Sequence, residues 1–160
     1  MSDKPDCKTL HASSLGRELV EDECKILASV MSIKQLKTGD ILASRGDSNS
    51  TLYVLVDGKL DVYGESEGQE EKVYSMSKGE CSGTRAFVDR HIRQATLKAV
   101  QPSTIYMLEP KDFETLLDSH PKIVYKVMRA IFRITHENLM KMNQETQQLS
   151  NYISKSGGRY

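Results

Sequence analysis

No stretch of this chain stays apolar for the roughly 20 residues that a bilayer-spanning helix requires. The first twenty residues carry Asp3, Lys4, Asp6 and Lys8 and lack the apolar core of a signal peptide. An excess of charge of either sign is also missing: Lys and Arg number 22, Asp and Glu 22, and the formal net charge is zero. Nothing global therefore draws the chain to nucleic acid or to an anionic membrane. Cysteine is scarce, and Cys7, Cys24 and Cys81 are scattered and odd in number. That argues against a disulfide framework and for a reducing, cytoplasmic setting. Neither the cysteines nor His11, His91, His120 and His136 show metal-ligand spacing. No nucleophile elbow, Walker loop or kinase signature occurs. No enzymatic activity, cofactor or metal is expected.

What remains is the make-up of one domain. A chain of 160 residues can bury a real core. Residues 1–18 are polar and are expected to form a poorly ordered tail. From Leu19 to Met31, apolar residues Leu19, Ile26, Leu27, Val30 and Met31 recur at helical spacing. The acids Glu21, Asp22 and Glu23 suit the positive end of that helix's dipole.

Short strands follow. Ile33–Leu36, Ile41–Ala43 and Leu52–Val56 are separated by Thr38-Gly39-Asp40 and by Gly46 to Ser50. Leu52-Tyr53-Val54-Leu55-Val56 is a β-branched and aromatic block. Asp57-Gly58 reads as a tight hairpin turn. Lys59–Tyr63 alternates polar and apolar, Gly64–Lys72 reads as an acidic hairpin loop, and Val73–Met76 resumes the sheet. After an interruption come Ala95–Val100 and Thr104–Leu108. Many short strands at near-regular spacing predict a sandwich or barrel.

Helical spacing returns with Phe113, Leu116 and Leu117. Pro121 suits a first helical turn, and a helix is predicted over 122–153, with 154–160 as a tail. Its later part carries Phe132, Thr135, Leu139, Met142, Thr146, Leu149 and Ile153 at alternating steps of three and four. That is a heptad seam, suited either to a helix dimer or to packing on the domain's own barrel. The residues after Ile153 are too few for a DNA reader, so no direct nucleic-acid binding is expected.

The segment that interrupts the strands carries the chemistry. Gly79-Glu80-Cys81-Ser82-Gly83-Thr84-Arg85-Ala86-Phe87-Val88 runs through a glycine-bearing loop into a short helical turn. Arg93-Gln94-Ala95-Thr96 then opens the next strand. Backbone N–H donors beside a forked guanidinium make an anion cradle.

Together with Leu36–Leu42, Arg45–Leu55 and Val56–Tyr63, this order of motifs resembles the cyclic nucleotide-binding domain family. That family contains the sensors of the catabolite activator protein and of kinase regulatory subunits. The resemblance covers roughly residues 19–145. It implies a mainly β fold with flanking helices: a jelly-roll-like β-roll, an N-terminal helix and a long C-terminal helix that responds to ligand. It implies an anionic ligand, cAMP, cGMP or a related phosphorylated small molecule, held by Gly83, Thr84, Arg85, Ala86, Arg93, Gln94, Ala95 and Thr96. Arg93 matches the arginine that grips the cyclic phosphate in relatives. Its alternative is an arginine paired with a local carboxylate such as Asp89.

The match has gaps. Relatives carry a ribose-binding glutamate after the cassette glycine, where this chain has Thr84. Arg85 breaks the apolar pattern around the cassette's small residue, and Ile92 replaces the customary proline. A lost carboxylate acceptor forfeits a hydrogen bond of about 1.5–3 kcal/mol. The expected function is therefore a regulatory sensing module that signals through its C-terminal helix to a protein partner or second copy. The alternative is a ligand-free, degenerate domain that acts as a protein–protein scaffold.

Overall fold

The computed structural model describes residues 4–157, with side chains described through residue 140. The helices α1 (Cys7–His11) and α2 (Glu21–Ser29) lead into strands β1 (Ser32–Leu36), β2 (Ile41–Ala43), β3 (Leu52–Asp57), β4 (Leu60–Ser66), β5 (Gln69–Met76) and β6 (Cys81–Ser82). A short helix α3 (Thr84–Asp89) precedes β7 (Thr96–Ala99) and β8 (Ser103–Leu108). The chain then enters α4 (Pro110–Glu114), α5 (Leu116–Ser119) and the long α6 (Pro121–Gly157).

The strands form two antiparallel four-stranded sheets, ordered β1-β8-β3-β6 and β2-β7-β4-β5. Side-chain alternation in β3 explains how one sheet serves two cores. Leu52, Val54 and Val56 point to one face and join the helices, whereas Tyr53 and Leu55 point to the other and meet the second sheet. β8 divides likewise: Tyr106 and Leu108 go to the helical core, Ile105 to the inter-sheet core. Because both faces are covered, β3 is apolar through Val56 rather than alternating. Leu60, Met76, Leu97 and Ala99 complete the inter-sheet core.

The helical core is built from stripes. Ile123, Val127, Ala130, Ile131 and Ile134 lie on one side of α6, spaced for a helix face. They meet Leu19, Leu27 and Met31 in the same cluster. α2 starts where Glu23 Oε1 accepts the Val20 N–H at 3.0 Å, which satisfies one donor of its first turn. Lys126 of α6 donates to the same Glu23 oxygen at 2.6 Å.

The expected β-roll with an N-terminal helix and a long C-terminal helix is thus the observed one. Three expectations need correction. Residues 7–18 are not a polar tail: they include α1, and Leu10 and Leu15 are almost fully buried. Gly64–Lys72 is not an open loop: β4 and β5 run to a tip at Glu67 and Gly68, both at positive φ. This ribbon is exposed over most of its length, so its sequence shows no apolar alternation. The C-terminal helix continues to Gly157 rather than ending at 153.

Candidate functional site

The cassette hangs between β6 and β7. Gly83 ends β6 with φ of 87°, a left-handed conformation open to glycine, and serves as N-cap of α3. α3 buries Ala86 and Phe87 and exposes Arg85. Phe87 packs on Phe113 of α4, with ring centroids 5.4 Å apart. The first N–H groups of such a helix have no intrahelical acceptor, and no side chain caps them.

Arg93 is fixed first by its backbone. Its N–H donates to the Asp47 carbonyl and its own carbonyl accepts the Gly46 N–H, both at 2.8 Å. The side chain then runs inward and is 6% exposed. Nη2 donates to the Thr51 carbonyl at 2.6 Å and Nε to Asn49 Oδ1 at 3.2 Å. The guanidinium carbon lies 4.9 Å from the centre of the Tyr53 ring, a cation–π contact. Asn49 is itself aimed, because its Nδ2 donates to the Tyr53 hydroxyl at 2.8 Å. Nη1 occupies the space that a side chain on Gly83 would fill, so glycine is required for this approach.

The acceptors around Arg93 are neutral. Among the described residues no carboxylate forms an ion pair with it. Burial lowers its pKa, while Tyr53, Glu109 and Asp47 act in the opposite direction. Guanidinium remains charged throughout. Glu109 and Asp47 offset this burial only from a distance, so a directly paired anion would lower the cost of burying the cation further. The expected alternative partner, Asp89, is not used. The nearby ion pair belongs to Arg90, which reaches Glu114 at 2.7 Å.

The remaining cassette residues divide. Thr96 Oγ1 accepts the Arg45 N–H at 3.0 Å, and Ala95 beside it is half-buried. Gln94 is exposed, and its amide faces His91 Nδ1 at 3.2 Å. The Thr84 hydroxyl lies 3.1 Å from Thr135 Oγ1 of α6. So Gly83 and Arg93 come together, whereas Thr84 turns to the helix and Arg85 and Gln94 to solvent. Asn49, Thr51, Tyr53 and Thr135 were not anticipated as parts of the site. Of these only Thr135 carried a signal, as one of two threonines in a mainly apolar seam. Within that seam Phe132 is 73% and Leu139 53% exposed. The side chains of Met142, Thr146, Leu149 and Ile153 lie outside the described residues.

Two clefts, of about 260 and 640 Å³, lie elsewhere, sharing Ala12, Lys78 and Gly79 in their linings. Neither is lined by a residue of 83–96.

Comparison with known proteins matches this geometry to a family. A family model described as "Cyclic nucleotide-binding domain" matches residues 33–120, more than half of the chain. The cGMP-dependent protein kinase of Plasmodium berghei (strain Anka) is 29% identical over 99 residues, 62% of this chain and 11% of the kinase. The chain spans only 11% to 12% of the length of the curated kinases it matches. A cyclic nucleotide-binding domain from Methylobacillus flagellatus KT superposes with a TM-score of 0.80 at 18% identity, covering 87% of this chain and 79% of that one. That likeness is one of fold. The N-terminal domain of a transcriptional regulator from Streptomyces coelicolor A3(2) gives a TM-score of 0.72 at 26% identity, covering 81% and 94%.

Proposed function

The chain belongs to the cyclic nucleotide-binding domain family, and on that footing we propose that it is a non-catalytic regulatory module that senses a cyclic nucleotide or a related phosphorylated small molecule. The observation that carries this reading is Arg93: a buried guanidinium beside a helix N-terminus, held by neutral acceptors only. A cyclic phosphate would supply a directly paired negative charge, with the α3 N–H groups as further donors. Gly83, Arg93 and the backbone at the start of α3 are the ligand contacts of this reading, and cAMP and cGMP are the ligands to try first. α6 transmits occupancy, because it touches the cassette through Thr135. Its exposed Phe132 and Leu139 suit a second copy of the chain or a protein partner, in the cytoplasm.

A second reading has its own observation. Thr84 is engaged by α6, and no carboxylate stands at that position to hold a ribose. A degenerate domain acting as a protein–protein scaffold would look the same. Calorimetric titration with cAMP and cGMP separates the two. Saturable binding lost in Arg93→Ala supports the sensor. No heat and no thermal shift at millimolar nucleotide overturns it in favour of the scaffold.

A further inference from the structure

α1 and α2 meet through two cysteines that the ligand site does not use. The Cys24 thiol donates to the Cys7 carbonyl at 3.0 Å. The Cys7 thiol donates to the Glu21 carbonyl at 3.6 Å. Glu21 and Cys24 are three residues apart, on one face of α2. The Cys7 sulfur therefore sits over the face of α2 from which Cys24 projects. The two thiols also differ in access. Cys7 is half-buried, whereas Cys24 is fully buried. Burial, followed by the hydrogen bond with the Cys7 side chain, pushes the Cys24 thiol up to about 12. Cys81 stands apart, in contact with Ser14, and burial pushes it up to about 11.

We propose that Cys7 and Cys24 are an oxidation site: a hydroperoxide oxidises Cys7, and Cys24 resolves it into a disulfide that staples α1 to α2. Access fixes the order, since the oxidant reaches the half-buried thiol before the buried one. The Cys7 thiolate attacks one peroxide oxygen, breaking the O–O bond and releasing an alcohol, or water from hydrogen peroxide. Cys7 becomes a sulfenic acid. The Cys24 sulfur then attacks the Cys7 sulfur, the S–O bond breaks, and the oxygen leaves as water with the Cys24 proton. Two thiols are oxidised by two electrons, and one hydroperoxide is reduced. The Cys24 proton is held tightly, so the second step is the slow one and the reduced pair is the resting state in a reducing compartment. The stapled helices are those that hold α6: Glu23 pairs with Lys126 at 2.6 Å, and Glu18, just before α2, pairs with Arg133 at 2.9 Å.

The test is peptide mapping of the folded full chain after hydrogen peroxide treatment, with and without urea. The expected native product is a monomer lighter by about 2 Da, the two hydrogens lost, with a Cys7–Cys24 cross-linked peptide as its only disulfide. Cys24→Ser should trap Cys7 as a sulfenic acid that a 1,3-dione captures, and Cys81→Ser should change nothing. Urea should scramble the pairing among all three cysteines. The proposal is overturned if native Cys7 resists oxidation or goes on to sulfinic acid beside an intact Cys24 thiol. It is overturned equally if Cys81 takes part, or if native and unfolded chains give the same mixture.

Discussion

Thr135 of α6 and Thr84 of the cassette share a hydrogen bond, their hydroxyl oxygens 3.1 Å apart. Thr135 also reaches the Ile131 carbonyl of its own helix at 2.8 Å. Thr84, where the sequence resemblance implies a glutamate in relatives, is thus engaged by the C-terminal helix, and this one position links the cassette to α6.

Thr84→Glu should separate these roles. The glutamate loses the Thr135 contact and supplies two acceptor oxygens toward a ribose hydroxyl. A charge-assisted hydrogen bond contributes about 1.5–3 kcal/mol, roughly one to two decades of affinity. Calorimetry should show cAMP or cGMP bound about ten- to a hundredfold more tightly. Unchanged or weaker binding would show that residue 84 does not face the ribose.

Gly83→Ala should damage the site and the fold together. At φ of 87° a side chain costs about 1–2 kcal/mol. The new Cβ also meets Arg93 Nη1 and lies 2.9 Å from the Thr51 carbonyl. Arg93 must then leave its place over Tyr53. Urea denaturation should show lower stability, and titration should show nucleotide binding lost at temperatures where the variant is still folded. Wild-type affinity in the folded variant would refute the close approach of Arg93 to Gly83.

How much of this was legible in the sequence follows from where each signal resides. β3 was legible because burial on both faces makes a continuous apolar run, and Asp57-Gly58 marks its end. The segment 7–18 was not, because Leu10, Leu15 and Leu19 are buried without sharing one helical repeat. β6 has two residues, too few for any period. At the site, Gly83 and Arg93 were legible as part of a motif. Asn49 and Thr51 were not, because they reach Arg93 from more than forty residues away, through a turn and strand that only the fold brings near.

The α2–α6 contact should give an acid-sensitive component of stability. Lys126, by hydrogen bonding, and then the Val20 N–H hold the Glu23 carboxyl below its ordinary value of 4.5. A carboxylate depressed in the folded state stabilises above its unfolded pKa, and that contribution is lost as pH falls through the folded value. Stability should therefore be constant in this respect above about pH 5 and decline below 4.5. Glu23→Gln should be less stable than wild type at pH 7, with the difference shrinking in denaturant curves taken toward pH 3. An equal difference at both ends would show that Glu23 does not act through its charge.

Arg93→Ala should cost binding far more than it costs the fold. The substitution leaves the Thr51 carbonyl and Asn49 Oδ1 without one donor each and removes the Tyr53 contact. Against this, it removes a buried charge that has no ion-pair partner, and the lost desolvation penalty offsets much of the lost hydrogen bonding. A net stability change within about 2 kcal/mol is expected, because the losses are about 1 kcal/mol each and oppose the gain. Nucleotide affinity should fall at least tenfold, since the charge-assisted contact to the phosphate is worth about 1.5–3 kcal/mol. Arg93→Lys should restore charge without the planar fork that serves Asn49 and Thr51 at once, so it should recover only part of the affinity. If Arg93→Ala instead unfolds the chain while Arg93→Lys is stable and binds no nucleotide, the arginine is a structural cation. Its buried, unpaired state would then have no bearing on a ligand.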